Sequence, residues 1–415
     1  MIKRIYIETL KEMLAVFPVV AVIGSRQVGK STLVNLPEIG ADRRYISLDD
    51  IAARDMAERD PWSLIDSAGA ITIDEVQLAP DILRVIKQKV DKERVLGRFL
   101  VTGSADLNSC AALSEVLAGR VGILRLPPIT CFEEHGVGTP LWQHWFSAER
   151  VEELEEDWGK FRYSELKWER IHSGGYPLSL TAESSNARAM WMESFRTTYL
   201  ERDLRRISDI GSLADFSRLM ELSASRIGSV LNQAELARDA GLSPATAGRY
   251  LSILESSFLI HRLSPYYANY GKRLVKSPKL YWNDTGLASH LMGFASGEEI
   301  ARDRMSGRFL ENFVLMEIYA LLEIVSPQSR LYYLRTHSGL EIDGMIKIGR
   351  RLFPFEVKSS KTVSGDDALA MEKWMEWAQS RHLGVVFYRG ETVRRLSRNV
   401  LAAPVSILKR GFAPS

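Results

Sequence analysis

Apolar positions in the first third of the chain gather into short continuous runs, Val19 to Ile23, Ala70 to Ile73 and Arg98 to Val101, separated by segments of helical period such as Ser31 to Leu36. Unbroken apolar runs of this length read as strands buried on both faces, and their alternation with helices predicts a doubly wound parallel sheet. Each run stops at small or polar residues: Gly24, Asp74-Glu75 and Thr102-Gly103-Ser104. Open α/β sheets bind ligands beyond the carboxyl ends of their strands, so these residues are the first candidates for chemistry. After Leu126-Pro127-Pro128 the pattern becomes mainly helical, with Trp and Glu prominent. The acidic run Val151 to Asp157 reads there as a solvated helix face and Gly174-Gly175-Tyr176-Pro177 as a turn. No repeat recurs at the roughly 20- to 50-residue periods that mark solenoids.

From Leu231 to Leu263 the pattern is that of a helix-turn-helix with a following wing. Gln233 to Asp239 forms a first short helix, Ala240 to Leu242 a turn, and Ser243 caps a second helix with Pro244 at its first position. Ala247, Leu251 and Leu254 recur at i, i+4 and i+7 and face a core. Ala245, Thr246, Arg249 and Ser252 are left toward the side where a recognition helix meets a DNA groove. The same arrangement also serves as a protein-contact module, and both readings stay open. Arg262, Lys272, Arg273, Lys276 and Lys279 follow without an acid, interleaved with Tyr266, Tyr267, Tyr270, Tyr281 and Trp282. Basic charge attracts phosphate and aromatic faces stack on bases. A solvated loop over a half-buried aromatic cluster fits the same pattern.

The pattern G-x-x-x-x-G-K-[ST] occupies Gly24 to Ser31 in full, between the first apolar run and the first helix. Its glycines, Gly24 and Gly29, let the backbone N–H groups of Ser25, Arg26, Gln27, Val28, Gly29 and Lys30 curl around a phosphate, and the helix entered through Ser31 and Thr32 adds its dipole. Lys30 is expected to reach the β- and γ-phosphates and the Ser31 hydroxyl to hold Mg²⁺. Asp74 binds the same Mg²⁺ through water, Glu75 orients and polarises the attacking water, and Thr102 or Ser104 contacts the γ-phosphate or that water. The expected cofactors are therefore ATP and Mg²⁺.

A second candidate lies in the last third, where Glu341 and Asp343 share one face of a strand after the Ser338-Gly339 turn, and Glu356 and Lys358 share one face of the next strand, Leu352 to Lys358. Two such strands suit metal-dependent phosphodiester cleavage. Asp343 and Glu356 would be metal ligands, Glu311 on the helix Gly307 to Leu322 a further one, and Lys358 would position the water. A helix from Asp366 to Trp377 and a strand from Gly384 to Tyr388 would complete a small α/β core. Cross-strand salt bridges from Glu356 or Asp343 to Lys358 account for the same residues and are worth little if exposed.

Composition sets outer limits. A chain of 415 residues has room for two to four domains. With 54 basic and 52 acidic residues the net charge is +2, so any nucleic-acid surface must be local. Two cysteines, Cys110 and Cys131, are too few for a disulfide framework or a zinc site and fit ordinary packing in a reducing compartment. The longest apolar run, Met13 to Ile23, is about half a membrane span and contains Pro18, and no charged leader with a cleavage site precedes it. A soluble cytoplasmic protein is expected.

The motifs GSRQVGKS, ITIDEVQ, FLVTGSA and LAGR, then YLERDL, the LAxxxGLSPATxxRYLxxLE run, KLYWNDTGL, GRFLENFV, and GLEID with FPFEVKSS, occur in order. On these the chain resembles, across nearly its whole length, the prokaryotic two-part ATPases that join an AAA-type domain to a C-terminal region with a winged helix and a nuclease-like fold. The resemblance implies an α/β multidomain protein: a P-loop ATPase core at 1–134, a helical lid or linker at 135–210, a winged helix at 211–295, and a small restriction-endonuclease-like α/β domain at 300–415. It implies ATP binding and hydrolysis, with Arg120 of LAGR, or Arg125, reaching the nucleotide of a neighbouring subunit in a homo-oligomer. Its last part resembles the PD-(D/E)XK nucleases, including Holliday-junction resolvases, with Glu311, Asp343, Glu356 and Lys358 on the acidic and lysine positions. DNA, branched or structured, is the implied partner, engaged through Thr246, Arg249, Lys272, Arg273 and Lys276. The rival from another class is a nucleotide-dependent switch with a protein-binding winged helix and an inactive nuclease-like domain. Gly344 departs from the pattern, because a bulky apolar residue usually follows the Asp, and its presence is expected to loosen the strand.

Overall fold

The computed structural model describes residues 2–104, 113, 115–136, 138–198, 210–266, 277–379 and 382–412. Two compact units are present, one of Met1–Ile129, Thr198–Gly211 and Leu251–Leu259, the other of Thr130–Thr197, Ser212–Tyr250 and Ile260–Ser415. The segments expected as linker, winged helix and C-terminal domain thus lie mostly within one unit. Among the described residues no helix is long and apolar enough to cross a membrane.

The first unit holds a parallel sheet whose described strands are β1 (Val19–Gly24), β2 (Arg44–Ser47), β3 (Ile71–Asp74), β4 (Phe99–Ser104) and β5 (Val121–Arg125), in the order β2-β3-β4-β1-β5. Every residue of β1 is buried, as its unbroken apolar run requires of a central strand. The register sets Gly24 beside Ser104 and Ser47 beside Asp74, so the polar strand ends gather on the carboxyl edge. Helix Ile82–Lys92 covers the sheet through Ile82, Leu83, Ile86 and Val90, spaced along one face. At the amino edge the Arg43 guanidinium donates to the carbonyls of Ile71, Gly97 and Arg98 and to the Thr72 hydroxyl. The helix after the glycine loop runs only Lys30–Val34, shorter than its periodicity predicts, because Pro37 starts a separate turn, Pro37–Gly40.

In the second unit β6 (Thr139–Pro140) pairs with the terminal strand β16 (Gly411–Phe412). Helices Leu213–Ala224 and Gln233–Asp239 accompany an antiparallel sheet of β7 (Ser229–Val230), β8 (Ile260–Leu263) and β9 (Lys279–Trp282), with β9 central, and helix Pro244–Ser256 belongs to this unit as far as Tyr250. Asn232 accepts from the Glu235 N–H at 3.2 Å, and Ser243 accepts from the Thr246 N–H at 3.1 Å, so the two short helices begin at side-chain caps.

The C-terminal sheet is mixed: β10 (Arg330–Arg335), β11 (Glu341–Ile348) and β12 (Arg351–Lys358) are antiparallel, β12, β13 (Gly384–Tyr388) and β15 (Val400–Pro404) are parallel, and β14 (Arg394–Arg395) closes the edge. Helix Ser306–Val325 packs on β12 and helix Leu369–Trp377 on β11. Asn312 of the long helix is fully buried and binds both backbone groups of Trp282, whose N–H donates to Oδ1 and whose carbonyl accepts from Nδ2, each at 2.8 Å.

Gly344 loosens its strand on one side only: toward β10 the register shifts at Asp343-Gly344, between the Tyr332–Met345 and Leu334–Ile342 pairs, whereas toward β12 it runs on unbroken from Gly344 to Ile348. Gly344 stands opposite Phe355, and the Phe355 ring occupies the place that a Cβ would take. The ring continues edge-on into Trp145 and Phe387 at 6.4 and 5.8 Å. Gly344→Val is therefore expected to lower stability by about 1–3 kcal/mol in urea unfolding, as overpacking of a filled core does, and Phe355→Ala in the same chain should recover part of the loss.

Candidate functional site

At the carboxyl edge of the first sheet the loop from Gly24 to Lys30 curls as its glycines allow, with Gly29 at φ +97°. Lys30 is buried and its ammonium donates to the carbonyls of Gly24 and Ser25 at 3.1 and 2.9 Å. The Ser25 hydroxyl is buried with no hydrogen-bond partner, a polar group oriented for something the protein itself does not supply. Arg26 is half-buried, Gln27 exposed at φ +58°, and Val28 anchors the loop in the core. Because the following helix has five residues, the loop N–H groups rather than a long helix dipole must supply most of the anion affinity.

Ser31 and Asp74 meet across the edge, the Ser31 hydroxyl donating to Asp74 Oδ2 at 2.8 Å. Tyr45 donates to the same oxygen at 2.6 Å, and burial with the Asp74 carboxylate pushes its phenol up to about 12. A hydroxyl and a carboxylate this close fit the hard oxygen ligands of Mg²⁺, so Ser31 and Asp74 would hold that ion. Thr102 is fully buried behind Asp74, donating to Oδ1 and accepting from the Glu75 N–H at 3.2 Å. It fixes the acidic pair in place. Ser104 is the residue that faces Glu75, donating to its carboxylate at 3.2 Å. Glu75 has a left-handed backbone, φ 57° and ψ 47°, a strained conformation for such a residue. Gln77 holds the Glu75 carboxylate, and its amide also donates to Ser104 at 2.8 Å.

Arg120 is half-exposed, pairing with Asp91 and donating to the Ala118 carbonyl at 2.9 Å. Sequence reasoning missed Arg4, Tyr45 and Gln77. Arg4 is buried and donates to the carbonyls of Val28 and Pro127 at 2.9 and 2.7 Å, bracing the loop from outside its motif.

In the second unit a lysine from the basic, aromatic stretch stands between Glu311 and Asp343, and Asp343 also neighbours Glu356. Lys279 is 1% exposed, and its ammonium lies 2.7 Å from Glu341, 3.0 Å from Glu311 and 3.6 Å from Asp343. Tyr281 and Trp282 are buried as well, so these three residues do not contribute to a solvated DNA surface. Burial alone would lower the Lys279 amine, but Glu311, Asp343 and Glu341 outweigh it and keep the ammonium charged. Tyr281 donates to Glu311 at 2.5 Å, the Val357 N–H donates to Asp343 at 3.0 Å, and Lys358 pairs with Glu356 at 3.0 Å. Burial first, and Asp343 second, push Glu311 up to about 7 and Glu356 up to about 9.

These residues do not fit a resident metal. The Lys279 ammonium already stands beside Glu311, Glu341 and Asp343, Lys358 pairs with Glu356, and among the described residues no group of three His, Cys, Asp or Glu side chains is placed to hold an ion.

Of the expected DNA-binding residues, Thr246 is half-buried with its hydroxyl on Ser243 at 2.9 Å, and Arg249 is exposed with its guanidinium over the Tyr250 ring at 5.5 Å. Lys272, Arg273 and Lys276 lie outside the described residues, as do Cys110 and the YLERDL motif. Cys131 is buried, and its thiol is pushed up by burial and by Glu317. That keeps it in the inert thiol form of a packing residue.

The glycine loop, the Ser31–Asp74 contact and the parallel sheet define an AAA-type ATPase domain, and residues 16–135 match the family described as AAA domain. Residues 164–298 match a domain of unknown function, DUF8612, and residues 306–408 another, DUF4143. The chain belongs to the same family as two mycobacterial relatives, the uncharacterized proteins Rv2008c of Mycobacterium tuberculosis and Mb2031c of Mycobacterium bovis. Each is 34% identical over 389 residues, covering 93% of this chain and 80% of the relative. Among solved structures, the Walker-type ATPase PABY2304 of Pyrococcus abyssi is 15% identical over 70% of this chain and 96% of that one, with a TM-score of 0.40. A RuvB variant of Thermotoga maritima is 17% identical over 61% and 89%, with a TM-score of 0.29. Both likenesses are too distant to carry an argument.

Lys30→Ala is expected to weaken Mg-ATP binding by about 10- to 100-fold, the worth of hydrogen bonds from a charged donor, as read by calorimetric titration. At the other cluster the raised Glu356 works against folding once it must ionise. Its neutral form is accommodated below the unfolded value near 4.5, and stability is lost as pH rises from there toward 9. Glu356→Gln should flatten that loss. Its melting temperature should exceed that of the unaltered protein by a margin that widens between pH 5 and 9, while half-exposed Lys358 gives up little.

Proposed function

We propose that the chain binds and hydrolyses Mg-ATP and uses the nucleotide to control engagement of DNA. The observation that carries this is the Ser31–Asp74 contact at 2.8 Å, at the mouth of a loop whose lysine is already buried in place, with Glu75 held beside it by Ser104 and Gln77. In this reading Lys30 neutralises phosphate charge, Ser31 and Asp74 hold Mg²⁺, and Glu75 takes the attacking water's proton or orients it. Mg²⁺ bound there would supply charge neutralisation for the phosphates. Arg120 would exchange Asp91 for a neighbouring subunit's nucleotide in a homo-oligomer.

For DNA, support comes from the helix Pro244–Ser256. Ala247, Leu251 and Leu254 are buried, and Ala245 and Arg249 are exposed, as a recognition helix of a winged helix needs. The burial of Lys279 among the carboxylates favours a version in which the nuclease-like domain does not cut.

Glu75→Gln should retain Mg-ATP binding and lose about 10²- to 10⁴-fold in turnover, the usual worth of a positioned base. Turnover unchanged in a phosphate-release assay would remove Glu75 from this role. For DNA, Arg249→Ala together with Lys272→Ala, Arg273→Ala and Lys276→Ala should weaken binding on all sequences and flatten the salt dependence by about 0.9 slope units for each phosphate no longer neutralised. Equal slopes would assign the middle segment to protein contact instead.

A further inference from the structure

The carboxylates of the C-terminal sheet are arranged around a cation that the chain itself brings in. Lys279 begins β9, and its ammonium lies 5.5 Å from the centre of the Tyr333 ring before it reaches Glu341, Glu311 and Asp343 at 2.7, 3.0 and 3.6 Å. Those acids come from two other elements, Glu311 from helix Ser306–Val325 and Glu341 and Asp343 from β11. Other donors crowd the same acids: Tyr281 bonds the Glu311 oxygen that Lys279 meets, Arg335 faces Glu341 at 3.5 Å, and the Val357 N–H bonds Asp343. A divalent ion the size of Mg²⁺ draws its oxygens to about 2.1 Å in octahedral array. It cannot share them with an ammonium already in contact.

We propose that Lys279 is the resident cation of this cluster, standing where a divalent metal would have to stand, so that the acids are closed to metal and β9 is latched to β11 and to helix Ser306–Val325. The latch concerns the second unit alone and does not depend on nucleotide chemistry. Removing the ammonium while keeping its apolar stem should open the acids, and Lys279→Met does this.

The test is Mn²⁺ binding to full-length, nucleotide-free protein, followed by electron paramagnetic resonance, in four forms: unaltered, Asp343→Asn, Lys279→Met, and the two substitutions together. The unaltered protein and Asp343→Asn should bind Mn²⁺ identically. Lys279→Met should gain a site at least tenfold tighter than any in the unaltered protein. That site should vanish in the double variant, and Mn²⁺ should raise the melting temperature of Lys279→Met but not of the unaltered protein. Asp343-dependent Mn²⁺ binding by the unaltered protein would overturn the proposal, as would a folded Lys279→Met with no new site. If Lys279→Met fails to fold by circular dichroism, the comparison of the unaltered protein with Asp343→Asn decides alone.

Discussion

An ammonium taken out of water must meet opposite charge or oriented dipoles within a few ångströms, and this constraint organises both candidate sites. Lys30 and Lys279 are each nearly inaccessible. The protein satisfies Lys30 with the carbonyls of Gly24 and Ser25, dipoles that a phosphate can outcompete because a full negative charge binds a cation more strongly. Lys279 is given carboxylates, which leave an incoming anion nothing to gain. The same residue type is thus prepared for a ligand in one unit and occupied in the other, and the difference lies wholly in what surrounds it.

Much of the nucleotide site was legible because its information is local. A strand, a glycine loop and a lysine lie within about a dozen consecutive residues, and the strand ends at Asp74 and Ser104 mark themselves by polarity. What periodicity does not carry is lateral order. That β4 lies between β1 and β3 is a property of the sheet, and it is the reason Thr102 backs Asp74 while Ser104 reaches Glu75. Arg4 and Tyr45 were illegible for a related reason, since each acts on the loop or the acid from a distant stretch of chain.

The C-terminal cluster shows the limit more sharply. The alternation of Glu341 with Asp343 and of Glu356 with Lys358 correctly placed acids and lysine on shared faces. The stretch from Arg262 to Trp282 carries no acid, so its charge reads locally as solvated. The acids that answer Lys279 lie 32, 62 and 64 residues further on, at Glu311, Glu341 and Asp343, and no local pattern announces them. Gly344 was read only in part for the same reason, its shifted register toward β10 being foreseen and its packing toward β12 not. A glycine looks like an absence until the partner strand places Phe355 over it.

Asn312 adds something to this picture that concerns how the chain finds its fold. By binding both backbone groups of Trp282 it fixes β9 lengthwise, three residues from Lys279. A slip of one residue would shift the strand by about 3.3 Å and turn its side chains to the opposite face. Leu280 would then confront the acids, which would be left buried without their ammonium, while Asn312 would lose a matched pair of bonds. Mispaired forms of β9 are thereby penalised twice, once by stranded charge and once by stranded amide.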